Sequence, residues 1–472
     1  MKKTFLTAGL AMVGAASLQS AWAADSDILV PKVWDVSATL RGFYDDNYNI
    51  GGGRGSFGVE LNPSISINVP LQQTDVGLRY IYGLYYYNDR DSLGLNPFDQ
   101  THQVDMWLDH AFNTRWKLNV RDSFVVGQEP ELLGPTDPAT GNAQQYRISG
   151  NNIANHASVS LNTDWTRQFS TSLHYGNDFY DYDNSGGIAS PVASAVIPAV
   201  LFPVGTPGRV GFQQLTDSNG NPIAPTYAGL LNRVEQSASL DLQWHFQPET
   251  MGFLGYAFSI VNYTGNEPVG VFNYLDASSP TPRARGLVYY SNSRDSITHY
   301  GYVGVQHQFT PNLAGTVKGG VSYTDNYNDP LQTTTSLSPY ADLNLTYTYL
   351  PGSYLQVGFT HDINATDVAS VNTDTGSLTQ YQESSVIYAD INHRFTPKLS
   401  GTIIARDQIS DYQGGANSSS TDSDYSIGLD LSYEINRYFS VSGGYNYDFL
   451  QSDIPGRGYS RNRVYLGITA SY

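Results

Sequence analysis

Cysteine is absent from this 472-residue chain, so the sequence excludes disulfide bonds and thiolate metal sites. Charged residues are also few, at 14%, and the formal net charge is −18, which argues against nucleic acid as a partner. Beyond the N-terminus, no apolar run approaches the roughly 20 residues that a membrane-spanning helix needs. A helical membrane protein is therefore excluded, and insertion into a membrane has to depend on strands.

The N-terminus has the pattern of a secretory signal peptide. Lys2 and Lys3 precede an apolar run over residues 5–18, and the small residues Ala21 and Ala23 provide a cleavage site. The run is too short for a retained transmembrane anchor. We therefore predict cleavage after Ala23, which gives a signal peptide over 1–23 and a single barrel domain over 24–472. Loss of the two lysines changes the net charge from −18 to −20.

Aromatic residues and glycine are abundant, with 36 Tyr, 19 Phe, 6 Trp and 45 Gly, a composition typical of twisted antiparallel sheet. Apolar and polar residues alternate over long stretches, as at 337–349, 425–435 and 464–472. Several stretches reach the roughly ten residues with which a tilted strand crosses a bilayer, whereas soluble strands average about half that length. The alternation and the length together predict transmembrane strands.

One short motif recurs before the predicted tight turns. It consists of an apolar residue, a gap, an aromatic residue, a gap and a second aromatic residue, followed by a polar turn of two to three residues. Its best copies lie at 108–116, 305–313 and 391–399. Weaker copies are centred on Trp165, Phe246, Tyr349 and Ile435, and the later copies lie 40 to 46 residues apart, enough for two strands and two connections. The nine aromatic residues assigned to a membrane-interface girdle are Phe112, Trp116, Trp165, Phe246, Phe309, Tyr349, Phe395, Phe439 and Tyr472. His110, His307 and His393 occupy one girdle position of three copies, so we assign them to the interface and not to a metal site.

Counting outward from these turns predicts eighteen strands in an all-β, transmembrane, antiparallel up-and-down barrel. The strands are expected at 35–45, 54–69, 73–87, 101–112, 115–126, 151–163, 168–182, 232–246, 250–264, 294–309, 312–325, 335–349, 353–364, 380–395, 398–411, 422–435, 438–450 and 459–472. Short turns follow even-numbered strands and long loops follow odd-numbered ones, which places the turns and both termini in the periplasm and the loops outside. The last strand ends on Tyr472 and resembles the signal read by the barrel-assembly machinery, an expected partner during biogenesis.

Two regions of the first third resemble a known family. These are Tyr44-Asp45-Asp46-Asn47-Tyr48-Asn49, and the stretch from Asn88-Asp89-Arg90-Asp91 to Gln128-Glu129-Pro130-Glu131-Leu132. Both resemble the putative β-barrel porin-2 family. The resemblance implies an outer-membrane β-barrel and leaves its cargo open.

An eighteen-stranded barrel is wide enough to hold water, so the sequence predicts a channel. The candidates for its charged lining are Arg41, Glu60, Arg79, Asp105, Asp109, Lys117, Arg121, Glu235, Asp241, Lys318, Asp342, Asp390, Arg394, Arg406, Asp430, Glu434, Arg461 and Arg463. Facing acidic and basic ladders would create a transverse field that filters solutes. Alternatively, these groups pair between neighbouring strands and keep the interior wet. The net negative charge predicts a weak preference for cations.

Three long loops, at 127–150, 183–231 and 265–293, are candidates for narrowing the channel. The second contains an apolar segment at 188–203 that three prolines interrupt, so it is neither a spanning helix nor an interior strand. Whether this loop constricts or caps the mouth, or packs on neighbouring loops, stays open. The acidic loops 45–49 and 325–329 are candidates for cation or lipopolysaccharide-bridging calcium sites, although Asp and Asn also form ordinary turns. We predict no metal site and no cofactor.

The sequence therefore predicts an integral protein of the cell outer membrane that lets small hydrophilic solutes diffuse passively or semi-selectively. Its expected partners are these small polar solutes, outer-membrane lipid and lipopolysaccharide. Serine-nucleophile and phosphate-loop motifs are absent, so no enzyme activity is predicted. One alternative is exopolysaccharide export, for which Tyr85, Trp107, Tyr300 and Tyr302 are inward candidates. Another is a plugged surface barrel with an adhesive or structural role.

Overall fold

The computed structural model describes residues 33–48, 53–127, 152–183, 225–276, 283–331 and 334–472, without the side chains of 273–276 and 283–286. The predicted signal peptide lies outside the described residues. The strands are β1 (Trp34–Asp45), β2 (Ser56–Pro70), β3 (Thr74–Tyr87), β4 (Phe98–Ala111), β5 (Trp116–Gly127), β6 (Asn152–Asp164), β7 (Phe169–Tyr182), β8 (Arg233–Gln247), β9 (Thr250–Tyr263), β10 (Pro268–Asp276), β11 (Arg283–Tyr290), β12 (Ser296–Thr310), β13 (Leu313–Asn326), β14 (Thr334–Leu350), β15 (Ser353–Asn364), β16 (Tyr381–Arg394), β17 (Leu399–Gln413), β18 (Thr421–Asn436), β19 (Phe439–Ser452) and β20 (Tyr459–Ser471).

The described helices are short. They are α1 (Asn88–Ser92), α2 (Tyr227–Leu231) and the 3₁₀ helix Ser291–Arg294, all of which lie between strands at one end of the sheet. In this part of the chain, no helix has the length and apolar character needed to cross a membrane.

Eighteen of the strands form one closed antiparallel sheet. Each barrel strand pairs with its neighbours, and β1 also pairs with β20, which closes the ring. The predicted all-β barrel and its eighteen strands are thus confirmed. Strands β10 and β11 pair only with each other, while β9 pairs directly with β12. This hairpin lies within the predicted loop 265–293 and was not predicted.

The two faces of the barrel wall differ in exposure and chemistry. On β20, Leu466 is 67% exposed, whereas Arg461 on the opposite face is fully buried. The same alternation runs through the barrel strands, with Leu, Ile and Val side chains exposed on one face and polar side chains on the other. Because apolar surface is stable against lipid, we call the apolar side the outer face and the polar side the interior face.

Connections at the two ends of the barrel differ in length. Strands β2 and β3 are joined by residues 71–73, and β8 and β9 by 248–249, whereas β7 and β8 are joined by 183–232. Trp34 and Tyr472 lie together at the end with the short turns, where their ring centroids are 5.6 Å apart. We call this the turn end and the opposite one the loop end.

Candidate functional site: the barrel interior and its mouth

All eighteen charged residues proposed for the channel lining lie at interior-face positions. On β5, for example, Lys117 and Arg121 alternate with Leu118 and Val120 of the outer face. The set comprises Arg41, Glu60, Arg79, Asp105, Asp109, Lys117, Arg121, Glu235, Asp241, Lys318, Asp342, Asp390, Arg394, Arg406, Asp430, Glu434, Arg461 and Arg463. That they line a solute path stays a prediction.

One arc of the interior, from β20 through β1 to β5, carries most of the arginines, and acidic partners lie on nearby strands. The pairs are Arg41–Glu60 at 3.2 Å, Arg463–Glu60 at 3.0 Å, Arg79–Asp105 at 2.6 Å and Arg121–Asp109 at 2.7 Å. Charge-assisted hydrogen bonds of this kind fix the orientation of both side chains. In this arc, acidic and basic groups therefore alternate around the wall and largely neutralise each other.

A second arc, from β14 to β19, is predominantly acidic. This acidic arc comprises Asp342, Asp362, Asp390, Asp422, Asp424, Asp430, Glu434 and Asp448. Tyrosine hydroxyls donate to three of the carboxylates, Tyr354 to Asp390 at 3.0 Å, Tyr465 to Asp430 at 2.6 Å and Tyr412 to Asp422 at 2.5 Å. The excess of carboxylates gives this side of the interior a negative electrostatic potential.

The four aromatic residues considered for a sugar track lie on the interior face but in two separate groups. Tyr300 and Tyr302 lie on β12 and both contact Tyr340, with ring centroids 5.5 Å apart in each case. Tyr85 and Trp107 lie on β3 and β4, five or more strands away around the barrel. A Cβ atom on Gly255 would collide with the Tyr302 ring, so this ring lies flat against the wall.

A hydrophobic cluster at the loop end, called here the loop-end cluster, joins four segments of the chain. Its buried members are Tyr182 of β7, Leu230 and Leu231 of α2, Val269 and Tyr289 of the β10–β11 hairpin, and Ala369, Val371 and Leu378 of the loop after β15. Tyr182 shares the interior face of β7 with Asp178, so the cluster packs against the inner surface of the wall. Because five barrel strands separate β7 from β15, the cluster bridges part of the mouth.

Two arginines hold the segments of the mouth together. Arg294 is 1% exposed, and its guanidinium donates to the carbonyl oxygens of Leu230, Thr366 and Val368 at 2.5, 3.2 and 3.3 Å. Arg457, in the loop after β19, donates two hydrogen bonds to Asp367 at 2.7 and 2.8 Å and a third to Asp422 at 2.7 Å. The loop 365–380 is thereby tied to both sides of the mouth.

The predicted constricting loops are only partly described. Residues 128–150 of the first loop and 184–224 of the second, including the proline-interrupted apolar segment, lie outside the described residues. The described end of the second loop forms α2, in which the hydroxyl of Thr226 accepts from the N–H of Gly229 at 3.0 Å. The third loop forms the β10–β11 hairpin. Parts of the second and third loops thus meet in the loop-end cluster.

Protein donors engage the acidic loop residues proposed as cation ligands. Asp46 accepts from the backbone and side-chain nitrogens of Asn462, each at 2.7 Å, and Asp329 accepts from the side-chain nitrogen of Gln380 at 2.9 Å. Within the described ranges, no group of three or more His, Cys, Asp or Glu side chains is arranged to hold a metal ion. The carboxylates of Asp46 and Asp329 are thus already engaged by donors of the protein.

A polar contact joins α1 to the loop that precedes β2. Arg54 donates to Asp89 at 3.0 and 3.1 Å, and the Tyr48 hydroxyl donates to the same carboxylate at 2.8 Å. The hydrogen bonds from Arg54 and then from Tyr48 lower the pKa of Asp89 below its ordinary value. The contact therefore persists to a lower pH than it would with an unperturbed carboxylate.

Asp45 and Arg461 form a fully buried ion pair where the first and last strands meet, with Arg461 Nε 2.6 Å from the carboxylate. Arg461 occupies an interior-face position near the loop end of β20. Its side chain is fully buried against Asp45, so it is not exposed to the space inside the barrel. In the sequence the two residues are unrelated, Asp45 as an acidic loop position and Arg461 as a lining candidate. Only the closure of β1 on β20 brings them together.

The aromatic residues proposed as a girdle all lie at the turn end. Trp116 contacts Trp165 with centroids 5.4 Å apart, and Tyr438 contacts Tyr472 at 6.3 Å. The recurring histidines make equivalent contacts: His110, His307 and His393 bond to Thr74, Thr250 and Tyr349 at 2.8, 2.8 and 2.9 Å. They also pack edge-to-face on Phe112, Phe309 and Phe395. The repeated sequence motif thus corresponds to a repeated set of side-chain contacts, and its role at a membrane interface stays a prediction.

Solved structures similar to this chain include proteins of Acinetobacter baumannii and Pseudomonas aeruginosa, all at low identity. Acinetobacter baumannii OccAB4 is 11% identical with a TM-score of 0.39, and 93% of this chain aligns to 99% of it. Pseudomonas aeruginosa OpdK, solved with vanillate, is 11% identical with a TM-score of 0.41, at 93% and 99% coverage. A mutant of the P. aeruginosa ferric enterobactin receptor PfeA is 10% identical with a TM-score of 0.39, at 93% and 80% coverage. No curated protein matches the chain.

The family comparison matches the C-terminal part of the barrel. The profile described as putative beta-barrel porin 2 matches residues 286–472, which contain the last nine barrel strands. The two regions of the first third that suggested this family lie outside the match. With its closed wall, apolar outside and charged inside, the chain is an outer-membrane β-barrel protein that resembles the putative beta-barrel porin 2 family.

Proposed function

We propose that this protein is a porin-like channel through which small hydrophilic solutes diffuse across the outer membrane, with a preference for cations. The observation that carries the proposal is the closed eighteen-stranded wall with charged side chains inside. A barrel of this size encloses space for water, and carboxylates along one arc raise the local concentration of cations. In this proposal, the turn end and both termini face the periplasm, and the mouth with its loops faces outward.

The proposed partners follow from the two faces of the wall. The outer face contacts outer-membrane lipid, and its upper edge contacts lipopolysaccharide. The strand that ends at Tyr472 is proposed to engage the barrel-assembly machinery before membrane insertion. The proposal assigns the protein no catalytic activity.

Planar-bilayer recording of the refolded mature protein tests the channel. We expect stepwise conductance and, across a KCl gradient, a reversal potential with the sign of a cation-selective pore. Replacing Asp390, Asp424 and Asp430 together with Asn removes charge from the acidic arc, so the reversal potential should move towards zero. The control is Asp407→Asn on the outer face of β17, which should leave the reversal potential unchanged.

A second candidate is a surface barrel whose mouth is closed and whose loops serve binding or envelope structure. The loop-end cluster favours it, because this cluster is tied to both sides of the mouth. The candidates differ in one measurement. Conductance in the wild type supports an open channel, and absence of conductance in both the wild type and a variant with a disrupted loop-end cluster would contradict it. Polysaccharide export receives less support, because the four aromatic candidates do not form one track.

A further inference from the structure

The outer face of β5, β6 and β7 carries a polar patch within a mainly apolar surface. Asp122 lies on β5 between the outward Val120 and Phe124. Ala157 of β6 lies directly beside Asp122, and Asn177 of β7 lies directly beside Ala157. We call these three residues, together with Asn155 and Tyr175, the outer polar patch.

The depth of this patch follows from strand geometry. A tilted barrel strand rises about 2.5 Å per residue along the membrane normal. Asp122 is the sixth residue beyond Trp116, the girdle residue that begins β5, so it lies about 15 Å above the turn-end interface. The apolar band of such barrels is about 25 Å tall, which places Asp122 inside it. A carboxylate facing hydrocarbon at this depth is costly.

Other outward carboxylates do not share this position. Asp181, Asp325, Glu383 and Asp411 lie near the loop ends of their strands, about 30 Å from the turn end and beyond the apolar band. Asp407 of β17 is the other outward carboxylate within the band among the described residues, and its neighbours Ile387 and Tyr425 offer no amide group. The combination of a carboxylate with outward amides is therefore specific to β5–β7 in the described part of the wall.

The chain itself supplies donors suited to Asp122. The side-chain nitrogen of Asn155 donates to Asp122 at 2.9 Å. Tyr175 is the sixth residue beyond Phe169 on β7, just as Asp122 is the sixth beyond Trp116 on β5. The two residues therefore lie at the same depth in the wall, and Tyr175 carries a hydroxyl group that can donate to a carboxylate. All described Lys and Arg side chains of the barrel strands occupy interior-face positions. A second copy would thus offer neutral donors to Asp122.

We propose that β5–β7 form a two-fold interface with a second copy of this chain in the outer membrane, centred on Ala157. Strands β5 and β7 lie about 10 Å apart on either side of β6. A two-fold axis through β6 places Asp122 of each copy against Tyr175 and Asn177 of the other, which is the reciprocity an isologous interface requires. The small side chain of Ala157 lets the two walls approach closely. This inference goes beyond the proposed function and holds for an open or a closed barrel.

Cysteine cross-linking tests the interface, because the chain has no cysteine of its own. In oxidised outer-membrane fragments, Ala157→Cys should form a disulfide-linked species with the mass of two chains, since residues on the axis approach within disulfide range. The control is Ala405→Cys, an alanine of the outer face of β17 at similar depth, which should stay monomeric. Both single-cysteine proteins should retain the heat-dependent gel migration of a folded barrel.

The outcomes are distinct. Equal cross-linking of both variants would indicate random collision, and a cross-linked species containing another protein would identify a different partner. Either result would overturn the proposal, as would absence of cross-linking in both variants. Native mass spectrometry of the detergent-extracted wild type should give two chains, and Asp122→Leu combined with Asn177→Leu should shift this to one. Three chains, or a dimer that survives the double substitution, would also contradict the two-fold model.

Discussion

At the residue scale, Arg457 is the side chain on which the loop 365–380 most depends. Its guanidinium bonds to Asp367 and Asp422, and both carboxylates are largely buried. Removing one partner of a buried ion pair typically costs about 3–5 kcal/mol, because the other charge remains without compensation.

We expect Arg457→Ala to raise amide hydrogen exchange in residues 365–380 and to leave the barrel strands protected. If this loop narrows the mouth, single-channel conductance should rise as well. Arg437→Ala, in a short turn at the opposite end, provides the control. Unchanged exchange in 365–380 would show that the ion pairs do not hold the loop.

The pH dependence of the α1 contact is a second residue-scale prediction. The pKa of Asp89 is lowered in the folded protein by Arg54 and Tyr48, so the stabilisation is fully present above the ordinary carboxyl pKa. It is lost as the pH falls through the lowered value. The N–H of Asp89 donates to the Ser56 hydroxyl at 3.0 Å, so its hydrogen exchange reports on the contact.

Exchange at the Asp89 amide, corrected for its intrinsic pH dependence, should therefore stay slow at pH 5 and increase only below the ordinary Asp range. Arg54→Gln removes the larger cause of the shift and should move the transition to higher pH. A transition that stays in place in this variant would rule out Arg54 as the cause.

At the scale of elements, the β10–β11 hairpin acts as a packing partner for the other mouth loops and takes no part in the barrel wall. Tyr289 of β11 is fully buried, and its hydroxyl donates to the Gly376 carbonyl oxygen at 2.5 Å. Its neighbour Tyr290 is 45% exposed. The two residues offer a matched comparison within one strand.

Tyr289→Ala should destabilise the loop-end cluster by about 3–5 kcal/mol, the usual cost of deleting a large buried ring. The expected signs are faster hydrogen exchange in 227–231 and 365–380 and larger or noisier conductance steps. Tyr290→Ala should change neither quantity. Equal effects of the two substitutions would contradict a packing role for this hairpin.

At the scale of the whole molecule, closure of the barrel depends on the pairing of β1 with β20, the first and the last strand in the sequence. β1 and β20 are hydrogen-bonded from Ser37 to Asp45, and the ion pair between Asp45 and Arg461 lies at the loop end of this seam. Removing one partner of a buried ion pair typically lowers the stability of the folded protein by about 3–5 kcal/mol.

Arg461→Leu should therefore lower the temperature at which the barrel loses its folded migration on a gel. The double variant with Asp45→Asn should recover much of this loss, because it removes the unpaired charge. Arg463→Leu is the control on the same strand, since this arginine is partly exposed and paired with Glu60 at the interior face. A double variant no more stable than Arg461→Leu would show that the pair does not act through its charges.

The sequence by itself determined the wall. Apolar and polar residues alternate with a period of two along long strands, and in lipid a closed antiparallel barrel gives every backbone N–H and C=O group of such strands a hydrogen-bond partner. The number of strands, eighteen, and the face on which each lining residue lies therefore followed from the local sequence pattern. The turn motif around Phe309 and Phe395 was readable for the same reason, because a tight turn fixes the register of the two strands it joins.

Only the tertiary structure decided the mouth and the seam. Arg294 reaches carbonyl groups of three distant loop positions, and Arg461 reaches a residue at the other end of the chain. Loops carry no period, so the sequence contains no local signal for which of them meet. Such contacts form because the ring closes, and closure brings together residues that no repeat along the chain relates.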